Sequence, residues 1–167
     1  MPTSKSQFEL TARLSTPPSE SRVLTDILKQ GGNSKSILRY SIRKPSIYVY
    51  SEEKNLDKAM SESILSNNMK ALLSEERFQV TSQASEADYR MSITSNTSKG
   101  GNANGFFTCY LNGRVVMERR DGTEQFSYAL TQIKGLKLDY PGASMQAYKE
   151  TAEHLEKQTM PALLRSF

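Results

Sequence analysis

The strongest constraint on the fold is a succession of β-rich runs between residues 88 and 133, separated by short turn motifs. In ADYRMSIT, apolar and polar side chains alternate, as they do in a strand with one buried face. Asn112-Gly113 and Asp121-Gly122 separate the later runs, and both dipeptides favour tight hairpins because the two turn positions require positive φ. The pattern predicts a four-stranded antiparallel meander over 88–133, with strands at 87–97, 106–111, 114–120 and 123–133.

Two helices are expected to accompany this meander. Apolar residues recur every three or four positions in 54–75, which predicts a helix whose core-facing stripe contains Leu56, Met60, Ile64, Leu65, Met69, Leu72 and Leu73. Residues 135–144 are expected to connect the meander to a C-terminal helix. Pro161 predicts a kink there, or a second short helix that begins near Met160.

These elements predict an α+β fold, in two layers, with a mostly antiparallel sheet and the two main helices packed on one of its faces. Short strands at 46–50 and 77–82 complete an α/β domain over 46–167. Residues 1–45 are predicted to form an N-terminal strand/helix extension or a linker subdomain. Its expected elements are strands at 8–14 and 37–43 and a helix that follows Ser19 and ends at Gly31-Gly32.

The composition argues against several enzyme classes. Cys109 is the single cysteine and His154 the single histidine, so an internal disulfide, a cysteine cluster and a histidine-based zinc site or triad lack their usual residues. Cys109 lies in an apolar strand pattern, which predicts a buried, inert thiol. His154 stands among glutamates and is expected to be solvated. We therefore expect no catalytic residue, no metal and no cofactor.

Carboxylates provide the remaining catalytic option. Five of them occur in the sheet region, and the turn at 121–122 accounts for one; they are Asp88, Glu118, Asp121, Glu124 and Asp139. Because no two stand at a defined catalytic spacing, carboxylate chemistry is the weakest of the functional hypotheses.

The glycine-rich run at 95–105 resembles a phosphate-binding loop only in composition. Such a loop needs a lysine after the glycines and a helix that begins at the loop, whereas Lys99 precedes the glycines and a β-rich run follows them. We interpret the run as a mobile, solvent-exposed hairpin connection. It is a candidate partner-binding loop made of Lys99, Gly100, Gly101, Asn102, Asn104 and Gly105.

An alternative function is nucleic-acid binding, because the chain carries a net charge of +4 and its sequence pI is about 9.1. The candidate groups are Arg39, Arg43 and Lys44 and the β-segment aromatics Tyr48, Tyr50, Phe106, Tyr110, Phe126 and Tyr128. Against it, the basic residues are scattered, no segment has the pattern of RNA-recognition sheets, and alternation predicts that at least half of these rings belong to the core.

The element order resembles a bacterial cell-envelope module over roughly residues 46–133, about half of the chain. In the N-terminal domain of TolB and in curli-secretion (CsgG-type) lipoproteins, a helix leads into an RF-V strand, an ADY strand and a hairpin. The matching residues here are Arg77, Phe78 and Val80, then Ala87, Asp88 and Tyr89, then the stretch 116–124. The glycine that usually follows the ADY strand is absent, and SIYVY lacks the usual continuation.

The resemblance implies a non-enzymatic role in protein interaction or scaffolding, within a cell-envelope or secretion-associated lipoprotein. Its partners would be proteins, with a second copy of the chain among the candidates. The start MPTSKSQFEL has no apolar signal region. The expected location is therefore periplasmic or outer-membrane-associated if a leader and a lipidated cysteine have been removed, with the cytoplasm as the alternative.

Overall fold

The structure, a computed structural model, describes residues 6–12 and 36–167, with side chains from residue 43 onward. The chain divides into two compact units, residues 1–43 and 44–167. In the first unit, strand β1 (Ser6–Ala12) pairs antiparallel with β2 (Ser36–Ile42) along its whole length. The helix predicted after Ser19 lies outside the described residues.

The second unit contains a mixed six-stranded sheet. Its neighbouring strands follow the order β4-β3-β6-β7-β8, and β5 pairs with β3. Strand β3 runs parallel to β5 and β6, whereas β6, β7 and β8 are successively antiparallel. The strands are β3 (Ser46–Asn55), β4 (Lys58–Ala59), β5 (Gln79–Thr81), β6 (Tyr89–Ala103), β7 (Phe106–Arg119) and β8 (Glu124–Lys137).

The predicted four-stranded meander is wrong in one respect, because three long strands replace four. Asp121-Gly122 does form the turn between β7 and β8, and Gly122 has a φ of +86°. Asn112 and Gly113, by contrast, lie inside β7 at an irregularity in its pairing with β8. A Cβ on Gly113 would lie 2.3 Å from the Thr94 carbonyl oxygen, so this glycine permits a close strand approach and not a turn.

The predicted helix at 54–75 is also shorter than expected. Strand β3 continues to Asn55, and Leu56 and Asp57 then adopt positive φ angles of 51° and 66°, which turn the chain into β4. Helix α1 spans only Ile64–Glu75, and it buries Leu65, Met69 and Leu73. Leu56 and Met60 therefore match a helical spacing without lying on a helix.

The C-terminal helices begin sooner than predicted. Strand β8 extends to Lys137, and helix α2 (Tyr140–His154) begins after two further residues, so most of the connection predicted at 135–144 is regular structure. Asp139 caps α2, because its Oδ1 accepts a hydrogen bond from the Gly142 N–H at 2.6 Å. A π-helical turn (Leu155–Thr159) follows, and helix α3 (Met160–Leu164) confirms the short helix predicted near Met160.

Both main helices pack on the same face of the sheet, which confirms the predicted α+β class. One buried cluster joins them to the sheet; it includes Ile47, Val49, Met91, Ile93, Leu111, Val115, Met117, Leu130, Tyr148 and Leu155. The alternation predicted for the start of β6 is confirmed as well, since Met91 and Ile93 are buried while Arg90 and Thr94 are exposed. In the part of the chain that the structure describes, no helix has the length and apolar character required to cross a membrane.

Candidate interaction surfaces

The glycine-rich run is not a loop, which corrects the prediction of a mobile connection. Strand β6 continues through Ala103 and β7 begins at Phe106, so Lys99, Gly100, Gly101 and Asn102 are strand residues. Only Asn104 and Gly105 form the turn, with φ angles of +50° and +79°. Asn-Gly is the preferred pair for such a turn, since both positions need positive φ. Whether the segment binds a partner stays a prediction.

Side chains hold this end of the hairpin in place. The register of β6 and β7 shifts between Lys99 and Asn102, and a Cβ on Gly100 would lie 2.7 Å from a ring carbon of Tyr110. The Tyr140 hydroxyl donates to the Gly100 carbonyl oxygen at 3.3 Å, and the Lys99 ammonium lies 4.9 Å from the centre of the Tyr140 ring. Tyr140 thus ties the start of α2 to the hairpin.

We call residues 99–108 together with 134–138 the hairpin end. Phe107 pairs with Lys137 in the register of β7 and β8, so both strands finish at the same level. Three large apolar side chains are exposed there: Phe106 at 45%, Leu136 at 44% and Leu138 at 71%. Three exposed lysines accompany them, namely Lys99, Lys134 and Lys137. The hairpin end is therefore both apolar and basic.

The sheet face opposite the described helices is a second exposed surface, which we call the open face. Tyr48 and Tyr50 lie on it at one side, with ring centres 5.9 Å apart, and Tyr50 is 46% exposed. Around them, charges of both signs alternate: Arg90 pairs in register with Glu118, and Arg114 forms a 3.4 Å ion pair with Glu124. The open face therefore carries an aromatic pair at one side and charged residues of both signs across β6, β7 and β8.

The six β-segment aromatic residues do not all lie on the same face of the sheet. Only Phe126 and Tyr128 pack against the core, so the prediction that at least half of the rings are core is wrong. Register places Tyr48, Tyr50 and Tyr110 on the open face, because they pair with Arg90, Ser92 and Ser98 and not with the buried residues of β6. Of the predicted basic group, Lys44 donates to the Glu76 carbonyl oxygen at 3.3 Å, and the Arg39 side chain lies outside the described residues.

A buried polar network lies between the sheet and α2, and no pattern in the sequence predicts it. The Tyr148 hydroxyl donates to the Lys54 carbonyl oxygen at 2.9 Å and lies 3.1 Å from Ser95 Oγ. Thr97 Oγ1 lies 2.7 Å from Ser144 Oγ and accepts a 2.9 Å bond from the Leu56 N–H. Burial raises the pKa of the Tyr148 hydroxyl above its ordinary value. We call Asn55, Ser95, Thr97, Ser144 and Tyr148 the polar network.

Glu53 is a buried carboxylate that sequence reasoning also missed. It is 6% exposed, and its two oxygens accept 3.0 Å hydrogen bonds from the Leu65 and Ser66 N–H groups at the start of α1. Ser63, at the helix cap, makes no side-chain capping bond. The carboxylate therefore satisfies the helix N-terminus from a neighbouring strand. The period-two pattern Ile47, Val49, Ser51, Glu53 could have placed it on the core face.

The single cysteine and the single histidine both make contacts within the fold. Cys109 is fully buried, as predicted, and burial raises the pKa of its thiol, with Lys99 acting weakly in the other direction. His154 is not simply solvated, since its Nε2 lies 3.2 Å from the Tyr128 hydroxyl and the two rings are 5.7 Å apart.

The carboxylates of the sheet region bond mainly to the fold itself. Asp88 Oδ2 accepts from the Ser46 N–H at 2.8 Å and from the Ser46 hydroxyl at 2.9 Å. Asp121 Oδ1 accepts from the Thr123 N–H at 2.9 Å, and that bond lowers the pKa of Asp121. These two carboxylates line one open cavity of about 380 Å³, whose other lining residues are Tyr89, Arg119 and Arg120. Both arginines also donate to the protein, to Gln125 Oε1 and the Ser85 carbonyl oxygen.

No protein-family model matches the chain, and no curated protein matches it. Among solved structures, lipoprotein GNA1162 from Neisseria meningitidis is similar, with a TM-score of 0.44 and 13% identity over 70% of this chain and 99% of that one. A putative neuraminyllactose-binding hemagglutinin homolog from Helicobacter pylori follows, with a TM-score of 0.40 and 13% identity over 73% and 89%. The hypothetical protein CT253 from Chlamydia trachomatis has a TM-score of 0.38 and 8% identity over 68% and 96%.

Proposed function

We propose that the chain is a non-enzymatic protein-interaction and scaffolding domain of a bacterial cell-envelope or secretion-associated lipoprotein. The sequence resemblance to envelope modules supports this role. The polar side chains also support it, because Glu53, Asp88 and the polar network bond to backbone groups of the fold and need no substrate to explain them. The proposed location is periplasmic or outer-membrane-associated.

The observation that carries the proposal is the open face. A sheet surface that carries an exposed, stacked aromatic pair with polar and charged groups beside it has the composition of a protein interface. Tyr50 is the natural anchor, since it is 46% exposed and its ring is stacked on Tyr48. Stacking restricts the ring, so that less conformational entropy is lost when a partner covers it.

The test is site-specific photo-crosslinking in cells, with a benzophenone side chain placed at position 50. The matched control places the same group at Lys149, which is exposed on α2. We expect a discrete protein adduct from position 50 alone. The purified partner should then bind the Tyr50→Ala variant about 30-fold more weakly, the effect of a typical hot-spot residue. Equal adducts from both positions, or unchanged affinity in the variant, would contradict the proposal.

Nucleic-acid binding is the second candidate, because the same aromatic pair lies beside Arg90 on the open face. Stacking of bases on such rings contributes about 1–3 kcal/mol each. The acidic residues Glu52 and Glu118 on this face oppose phosphate binding. A mobility-shift experiment with single-stranded RNA decides the matter: binding that weakens steeply with salt supports this candidate, and no shift at low salt excludes it.

A further inference from the structure

The hairpin end combines exposed apolar side chains with exposed lysines. Large apolar side chains are exposed at six positions in the described residues, and three of these, Phe106, Leu136 and Leu138, lie at this end of the sheet. Thr108 pairs with Leu136 in register, so Phe106 is a diagonal neighbour of Leu136, about 7–8 Å away. Phe106 and Leu136 therefore form one patch and not scattered exposures, and Leu138 follows directly after β8 at the same end of the sheet.

The charges around this patch have one dominant sign. Lys134 shares the sheet face of Leu136, since these two residues pair with Tyr110 and Thr108. Lys137 and Lys99 pair with Phe107 and Cys109, so they flank the same end of the sheet from the helix side. The carboxylate at this end, Asp139, is engaged by the Gly142 N–H at the start of α2. The open face, in comparison, mixes both signs, as the ion pair of Arg114 and Glu124 shows.

The backbone geometry presents the patch outward. The turn at Asn104-Gly105 projects from the end of β6 and β7, and β3 pairs with β6 only as far as Asn96. Tyr140 braces the hairpin from the helix side through Gly100 and Phe107, with the Phe107 and Tyr140 ring centres 4.7 Å apart. Phe106 and the hairpin turn therefore lie beyond the last residue pair of β3 and β6, with the end of β8 beside them.

We infer that the hairpin end docks onto an anionic lipid surface, with Phe106, Leu136 and Leu138 entering the interface and Lys99, Lys134 and Lys137 meeting the headgroups. Apolar side chains at a projecting tip suit the headgroup–acyl boundary, and flanking lysines complement acidic lipids. The positive charge of the hairpin end favours anionic lipid as the partner. Zwitterionic lipid or a neutral protein groove would supply no counter-charges for the three lysines. The inference is independent of the protein partner proposed for the open face.

The test is cosedimentation of the full chain with vesicles of equal parts phosphatidylglycerol and phosphatidylcholine, compared with pure phosphatidylcholine. We expect binding to the anionic vesicles that weakens with added salt. The Lys134→Gln/Lys137→Gln variant should bind about 25-fold more weakly, because each lysine near an anionic surface contributes about a factor of five. The Lys54→Gln/Lys149→Gln variant removes the same charge elsewhere and should bind as the parent does.

A second variant tests the apolar contribution separately from the charge. Phe106→Ser/Leu138→Ser should lose at least about tenfold in affinity for the anionic vesicles while retaining the parent circular dichroism spectrum and Tm. Tyr50→Ser is the control, since it removes a ring of the same exposure from the open face.

Three results would overturn the inference. One is the absence of binding to anionic vesicles at low salt, and another is an equal loss in the hairpin-end and control variants. The third is binding to soluble polyglutamate without binding to vesicles, which would assign the surface to an acidic protein. Each result leaves the crosslinking test of the open face unaffected, so the two proposals fail separately.

Discussion

The polar network and the hairpin end differ in solvent exposure. The network buries hydroxyl groups, with Thr97, Ser144 and Tyr148 fully enclosed, whereas the hairpin end leaves Leu138 71% exposed. Buried hydroxyls need partners, and those of the network find them in α2, β3 and β6. Exposed leucine side chains stay in contact with water, so their exposed surface contributes no hydrophobic stabilisation to the fold. The network therefore positions α2, while the hairpin end is available for contacts outside the molecule.

The substitution Gly135→Ala tests the tight contact between α2 and β8, and we expect it to destabilise the fold most. A Cβ on Gly135 would lie 2.0 Å from the Ala143 carbonyl oxygen and 2.4 Å from the Ala147 nitrogen, so the helix backbone would have to move. Gly135→Ala should lower the free energy of unfolding in urea by about 3 kcal/mol. The control is Gly101→Ala at the hairpin end, where a Cβ meets nothing within 4 Å. Similar losses in both variants would remove the distinction between the two regions.

Glu53→Ala is expected to follow closely. The substitution leaves the Leu65 and Ser66 N–H groups buried without their charged acceptor, at a cost of about 2–3 kcal/mol in the free energy of unfolding. Glu52→Ala, at the adjacent exposed position, should change it by less than about 0.5 kcal/mol. Thermal and urea unfolding measure both. Comparable effects would mean that the carboxylate does not hold the start of α1.

Tyr148→Phe tests the polar network itself. The ring stays and the hydroxyl is lost, which leaves the Lys54 carbonyl oxygen and Ser95 Oγ without this partner. We expect a loss of about 1–2 kcal/mol in unfolding free energy, and almost none for Tyr50→Phe on the open face. A neutral Tyr148→Phe variant would show that packing alone positions α2.

The polar network should also make the free energy of unfolding depend on pH in the alkaline range. The pKa of Tyr148 is raised by burial above its ordinary value of 10.0, and that of Cys109 above 9.0. Their stabilising contribution is therefore complete below these values and is lost as the pH rises through the folded-state pKa values, because the unfolded chain releases its protons first. Urea unfolding from pH 8 to 11 should show stability falling, and less steeply in Tyr148→Phe. Parallel curves for the two proteins would contradict this assignment.

The smallest expected effect belongs to the hairpin end. Leu138→Ser should change the free energy of unfolding by less than about 0.5 kcal/mol, because the side chain is already 71% exposed. Leu130→Ser, in the same strand region but 1% exposed, is the comparison and should be severely destabilising. A large loss in Leu138→Ser would show that this leucine supports the fold and would weaken the case for an external contact.

Much of the fold was predictable because hydrophobic periodicity reports which face of an element is buried. The alternation in 89–94, the turn at 121–122 and the short helix near Met160 all follow from local patterns, and the structure confirms them. The errors arose where two local patterns overlap. Leu56 and Met60 fit a helical stripe, although β3 extends to Asn55 and a positive-φ turn follows.

The surfaces were harder to predict than the elements. The glycine-rich run was recognised as a candidate contact region, but composition suggested mobility where strand pairing and Tyr140 impose order. The sequence does not predict Leu136 and Leu138 to be contact residues, because they lie in the stretch 135–144 that is predicted to be a connection. Their exposure depends on where β8 ends relative to β7, and strand register is a long-range property.

Side-chain type and spacing were sufficient to predict the α+β class, the buried face at the start of β6 and the short list of residues with chemical interest. These properties depend on side-chain type and spacing, which are local. Tertiary packing, in contrast, brings Glu53 to the start of α1 and Tyr148 to Lys54, 94 positions away, and it leaves three apolar residues exposed at one end of the sheet. Such contacts and exposed surfaces depend on how distant segments pack, because they are defined by neighbours in space and not by neighbours in sequence.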